Sequence, residues 1–381
     1  MSELRSRAML ARLIGFATVS RDSNLELIEF VRDYLHELGV DCELIYNAER
    51  TKANLLATVG PSVAGGIVLS GHTDVVPVDG QAWTVEPFSL SEAGGKLYGR
   101  GTADMKGYLA SVLAAVPVFL ASPLKRPVHL AFSYDEEVGC LGVRGLLEVL
   151  PQRIPAPALC LIGEPTELKP VLGHKGKLAM RCHVRGAACH SAYAPYGVNA
   201  IEQAARLIGR LGDIGATLAR PSLHDKRFDP AFSTVQVGVI QGGTALNIVP
   251  ADCRFDFEIR ALPDFAPQVV VDELQDYAEQ TLLPAMQAVD TDTAIRFEKI
   301  SAYPGLATPA DSAAARLIAE LCGSDDFGTV AFGTEGGLFN QAGIATVVCG
   351  PGSMDQGHKP DEFVSVDQMA ACDRLMDRLA A

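Results

Sequence analysis

Along the chain, short apolar runs alternate with amphipathic stretches. Two helices are expected near the N-terminus. In the second, Leu27, Val31, Leu35 and Leu38 recur at helical spacing until Gly39 supplies a stop. Apolar runs then predict strands at Cys42–Tyr46, Asn54–Val59 and Ile67–Ser70. A glycine-rich stretch, "GGKLYGRGTADMKG", leads into a helix with Leu109, Val112, Leu113 and Val116 on its face. "PVHLAFSYDEEVG" is again a strand, Val128 to Tyr134, running into three carboxylates, and "ALCLIGEPT" is a shorter copy ending at Gly163 and Glu164. Continuous apolar runs bounded by glycine mark strands buried on both faces. Their alternation with helices predicts an α/β fold, a mostly parallel central sheet with helices on both faces.

The pattern changes near Gly173. From there it predicts a strand at Leu178–Arg185, a helix at Asn199–Leu211, strands at Ser233–Ile240 and Ala251–Arg260, a helix at Pro267–Leu283 and a strand at Ala294–Ile300. That order, βαββαβ, is ferredoxin-like and predicts an inserted α+β domain over residues 176–301. The first domain, residues 1–175, resumes at 302–381 with a helix at Asp311–Leu321, a strand at Thr346–Cys349 and a final helix at Val366–Leu379.

Composition narrows the class. For 381 residues, two domains are the natural expectation. The net charge of −14 argues against a nucleic-acid partner, because phosphate neutralisation needs basic surface. No apolar run reaches the roughly eighteen residues of a membrane span. Nine scattered cysteines without a C-x-x-C pair read as buried small hydrophobes of a reducing cytoplasm.

The candidate chemistry sits at strand ends. In an open α/β sheet, ligands bind beyond the carboxyl ends of the strands, where "IVLSGHTD" places His72 and Asp74. With a period of two these side chains share a direction, so Asp74 is expected to reach the far ring nitrogen of His72, as carboxylates do behind metal-bound imidazoles. Asp104, Glu137, Glu164 and His358 fall at comparable loop positions. Each alone has an ordinary reading: Asp104 as a helix cap, Glu136-Glu137 as a solvated turn, Glu164 as a loop residue, His358 as a surface histidine. Together, two imidazoles and three carboxylates suit zinc, with cobalt or manganese as substitutes. Glu136, beside a ligand and not required as one, is free to act as a base.

The motifs "SGHTDVVPVDGQAW", "LYGRGTADMKG", "SYDEEVG", "LIGEPT", "HKG", "GGTALNIVP", "FGTEGG" and "CGPGSMDQGHKPDEFV" span nearly the whole chain. With them the sequence resembles the dinuclear-zinc metallopeptidase family M20, which holds the aminoacylases and succinyl-diaminopimelate desuccinylases. The match is nearest the branch that removes an acetyl group from the α-nitrogen of ornithine. The resemblance implies two zinc ions, with Asp104 bridging them, His72 and Glu164 on one, and Glu137 and His358 on the other. It implies Glu136 as general base, Asp74 behind His72, and a cis peptide at Asp104-Met105. The inserted domain is then a lid and dimerisation domain. His190 is implied to hold the oxyanion from the neighbouring subunit of a homodimer. Asn247, Arg260, Gly333, Thr334 and Glu335 match positions lining the substrate pocket, Arg260 as a carboxylate clamp and Glu335 as a contact for a substrate ammonium. Lys175 is shared with relatives without an assigned role, and Cys189 stands where relatives commonly have glycine. The implied substrate is a small N-acyl amino acid, met in the cytoplasm. The alternatives are a sister activity of the family (desuccinylase, aminoacylase, acetylcitrulline deacetylase or dipeptidase) or, from another class, a non-catalytic binding protein on the same fold.

Overall fold

The apolar runs become the strands of one nine-stranded sheet. In a computed structural model that describes residues 4–381, its order is Cys42–Tyr46, Ala53–Val59, Val128–Ser133, Ile67–His72, Leu159–Pro165, Thr346–Gly350, Val171–His174 and Leu306–Ala307, with Gly328–Val330 paired to Val171–His174. The four strands from Val128–Ser133 to Thr346–Gly350 run parallel, and antiparallel partners flank them. Ile67–His72, Val128–Ser133 and Leu159–Pro165 are buried at every position, which is why their sequences are continuously apolar rather than alternating.

The helix Lys106–Ala121 is buried over most of its length and packs with Leu69, Leu130 and Leu161 of the sheet in one core. Its Tyr108 lies so close to the strand Leu159–Pro165 that a Cβ added at Gly163 would stand 2.0 Å from the ring. Gly163→Ala is therefore expected to cost at least about 1–3 kcal/mol through overpacking. A urea midpoint equal to that of the wild type would contradict this.

The chain divides into two units, the first comprising the residues up to Gly173 with Leu306–Thr329 and Thr334–Ala381, the second His174–Gly305 with Val330–Gly333. The second unit has a four-stranded antiparallel sheet, ordered Thr234–Gly242, Asp252–Ala261, Gly176–Arg185, Ala294–Tyr303. Helices Ala200–Leu218 and Gln268–Tyr277 cover one face, with Leu207, Leu211, Val270 and Leu274 against Phe255 and Phe257. The βαββαβ order is present.

Two helices differ from expectation. The one expected to end at Leu211 runs to Leu218 through Gly212 and Gly215, because Ile214 and Leu218 extend its buried stripe. The one expected over Pro267–Leu283 breaks into a π turn at Ala278–Leu282 and a further α segment, Leu283–Gln287. Pro284 lacks the N–H that a regular helix would use there, and the wider turn absorbs the loss. Periodicity also passes over the helix Val143–Arg153, which contains Pro151, and a small sheet of Ser91–Ala93, Lys96–Tyr98 and Phe363–Ser365. Among the described residues no helix is long and apolar enough to cross a membrane, and all nine cysteines are free.

Candidate metal centre

The parallel strands of the first unit end on one edge, and the expected residues collect there. His72 closes its strand, Glu136 and Glu137 follow Val128–Ser133, and Glu164 is the sixth residue of Leu159–Pro165. Asp104 stands just before the helix Lys106–Ala121, where Met105, not Asp104, takes the cap position, without a side-chain cap bond. The Asp104-Met105 peptide is cis. His358 lies in the loop after Thr346–Gly350, in the left-handed region at φ 63°.

Asp104 is the centre of the cluster. Its Oδ1 lies 3.0 Å from His72 Nε2 and its Oδ2 3.2 Å from His358 Nε2. A further carboxylate oxygen approaches each imidazole: Glu164 Oε1 at 3.6 Å from His72 Nε2 and Glu137 Oε2 at 3.0 Å from His358 Nε2. Ligand atoms of His72, Asp104 and Glu137 lie within 4.8 Å of one another, as do those of His72, Glu136 and Glu164.

Burial sets the electrostatics. Desolvation, followed by the Asp104 charge, pushes Glu164 well above the usual carboxylate range and Glu137 up to about 7. Glu136 is raised well above its ordinary value by burial, with Glu137, Glu335 and Asp104 adding to it against His72. Burial opposes the Asp104 charge too, but hydrogen bonds from His358 and His72 outweigh it and hold the carboxyl far below its usual value. Hydrogen bonds to Asp104 and Glu137 lift His358 to about 10. So many acids in one buried place strongly favour added positive charge. Glu137 Oε1 is buried with no hydrogen-bond partner, as expected of an oxygen reserved for a cation. The residues present fit a pair of divalent ions.

Asp74 departs from expectation in one detail. The nearest partner of His72 Nδ1 is the backbone carbonyl of Asp74 at 2.8 Å; the carboxylate stands at 3.6 Å, long for a hydrogen bond. That carboxylate instead accepts from Ser20 Oγ (2.7 Å) and from the backbone N–H groups of Glu136 (3.1 Å) and Glu137 (3.4 Å). Asp74 thus fixes the His72 ring through its carbonyl and the turn carrying the two glutamates through its carboxylate. Ser20 escaped the sequence reading, because a serine in an N-terminal loop gives no sign of its partner.

Thr334 is buried, and its Oγ1 accepts from Gly336 N at 2.9 Å. Glu335 does not offer a free carboxylate for a substrate ammonium. It is buried, accepts from Ser133 Oγ and from Ser70 Oγ at 3.4 Å, and is raised by desolvation to about 7.

The second unit carries His190, Asn247, Arg260 and Gly333. His190 is exposed, with Nδ1 accepting from Ala192 N at 3.1 Å, and its loop pairs with that of Asn247, where Ser191 N donates to Asn247 O at 3.0 Å. The fork of Arg260 is engaged by Glu258 at 3.2 and 3.3 Å and by the Tyr303 hydroxyl at 3.0 Å. At Gly333 a Cβ would meet the Tyr303 ring at 2.0 Å, which explains the glycine. Lys175 donates to Phe232 O at 2.7 Å, a structural bond, and Cys189 Sγ donates to Tyr193 O at 3.3 Å.

A mostly parallel sheet with a separate antiparallel domain and this donor set define a metal-dependent hydrolase. A family model described as Peptidase family M20/M25/M40 matches residues 68–381, and the chain belongs to that family. It is 36% identical over 382 residues to the acetylornithine deacetylase of Myxococcus xanthus, a match covering 98% of this chain and 96% of that one. To the acetylornithine deacetylase of Proteus mirabilis (strain HI4320) it is 37% identical over 364 residues, covering 94% and 89%. The fold is shared with the M20 family metallo-carboxypeptidase from Sulfolobus solfataricus, at a TM-score of 0.79 and 18% identity over 100% and 99% of the two chains.

Proposed function

We propose that this hydrolase removes the acetyl group from the α-nitrogen of N-acetyl-L-ornithine, giving L-ornithine and acetate, with two zinc ions as its cofactors and cobalt as a possible substitute. The observation that carries the metal assignment is the pair of Asp104 oxygens, each facing one histidine that has one further carboxylate beside it. On this reading His72, Asp104 and Glu164 hold one ion, and Asp104, Glu137 and His358 the other. The near-full-length identity to acetylornithine deacetylases supports the substrate.

Divalent ions held there would supply Lewis acidity and lower the pKa of a nearby water. The chain's own groups do the rest. Glu136 takes the proton from the attacking water and returns it to the nitrogen of the leaving amine. Asp74 holds the Glu136 backbone in place. His190 accepts at Nδ1, which puts the proton of the neutral ring on Nε2 and leaves a donor for the oxyanion. We assign that donor to the neighbouring subunit of a homodimer. If Arg260 clamps the substrate carboxylate, it does so by exchanging Glu258 for it. A cytoplasmic location accords with the free cysteines.

The test is a substrate profile of the purified protein on N-acetylornithine, N-acetylcitrulline, N-acetylmethionine and N-succinyl-diaminopimelate. The highest kcat/KM is expected for N-acetylornithine. A higher value for another of the four would overturn the substrate assignment, and no hydrolysis of any would overturn the enzymatic one.

A further inference from the structure

The two loops that bring Asp104 and His358 into the cluster are tied together by one side chain with no part in the chemistry so far. Glu362 is four residues beyond His358 and is buried. Its Oε1 accepts from the backbone N–H groups of Ala103 (2.8 Å) and Asp104 (3.1 Å). Its Oε2 accepts from Gly101 N (3.0 Å) and Arg100 Nη1 (2.7 Å), and its own carbonyl accepts from Gly99 N at 3.0 Å. Both carboxylate oxygens and the main chain of one residue therefore close the backbone of residues 99–104.

The surroundings hold Glu362 itself in place. Arg100 is buried, lies over the Trp83 ring at 5.0 Å, and donates from Nη2 to Gln81 Oε1 at 2.6 Å. Gln81 Nε2 in turn donates to the backbone carbonyl of His358 at 3.0 Å, and Thr84 N donates to Asp361 Oδ1 at 2.8 Å. Phe363 pairs with Tyr98 in the small sheet. Gly101 sits at φ +88°, which glycine adopts without cost.

We propose that Glu362 is a positioning residue of the metal centre: its carboxylate binds the turn bearing Asp104 to the loop bearing His358 and so sets their separation. This rests on the two-ion reading above and adds to it a residue that touches neither metal nor substrate. A carboxylate is required because every group facing it is a donor. Glutamine would turn an NH₂ toward one of the two N–H pairs, leaving donors opposed in a buried place. Aspartate keeps the charge but falls short by one methylene.

The experiment measures zinc affinity, not turnover. Full-length protein freed of metal is titrated with zinc in competition with a chromophoric chelator, for the wild type, Glu362→Gln, Glu362→Asp and a core control, Phe119→Leu, whose loss of thermal stability is measured alongside. Zinc binding should weaken about ten- to a hundredfold in Glu362→Gln, as for other groups that orient metal ligands, and less in Glu362→Asp, with the control unchanged. Wild-type affinity in Glu362→Gln overturns the inference, as does an equal loss in the control. Should Glu362→Gln not fold, wild-type affinity in Glu362→Asp overturns it. A wild type that binds no zinc overturns the two-ion reading itself.

Discussion

Glu136→Gln is expected to lose about 10²–10⁴-fold in kcat, the usual worth of a positioned general base, while keeping its zinc. The change is isosteric, and Asp74 holds the residue through its backbone N–H, a bond glutamine retains. Cys140 Sγ reaches Glu136 Oε1 at 3.4 Å and can donate to an amide oxygen as well. The local structure should thus survive, while the proton-accepting oxygen loses its basicity. Steady-state kinetics with metal analysis of the same sample checks this. Near wild-type turnover at full metal content would remove Glu136 from the base role; a parallel loss of metal would recast it as a ligand, consistent with its place near His72 and Glu164.

Asp104→Asn should have the largest effect on metal. Both Asp104 oxygens face an imidazole at about the same distance, 3.0 and 3.2 Å. An amide offers one oxygen, and its NH₂ would point at the position of one ion. We expect dialysed Asp104→Asn to lose one or both zinc ions by elemental analysis, with activity falling at least as far as in Glu136→Gln. Treatment of the wild type with a chelator should produce the same loss, and added zinc should restore the wild type alone. Two tightly held zinc ions in Asp104→Asn would show that this carboxylate does not bridge.

The candidate ligand cluster can be read from the sequence because the parallel sheet does the placing. Apolar runs end at glycine or at a charged residue, and each end marks the same edge, so His72, Glu137 and Glu164 could be grouped without coordinates. Rotamers are beyond such reasoning. A period of two puts His72 and Asp74 on one side, but it does not say that the Asp74 carbonyl rather than its carboxylate is nearest to the ring. Burial inside charged motifs is equally hidden: Glu335, expected to meet a substrate ammonium, and Glu362, given no role, are both closed off by donors from distant parts of the chain. Helix ends failed for a related reason. The low helix propensity of Gly212 and Gly215 is outweighed by burial at Ile214 and Leu218, which carries the helix past Leu211.

Because the second unit interrupts the first, the residues gathered around Asp104 are synthesised far apart in time. His72, Glu137 and Glu164 leave the ribosome before the intervening unit, and His358 only after it. A nascent chain stalled inside that unit would expose a crowded set of acids with a single imidazole among them, able to attract cations but not to seat two in register. On the two-ion reading, the residues for both ions are together only once His358 has been made.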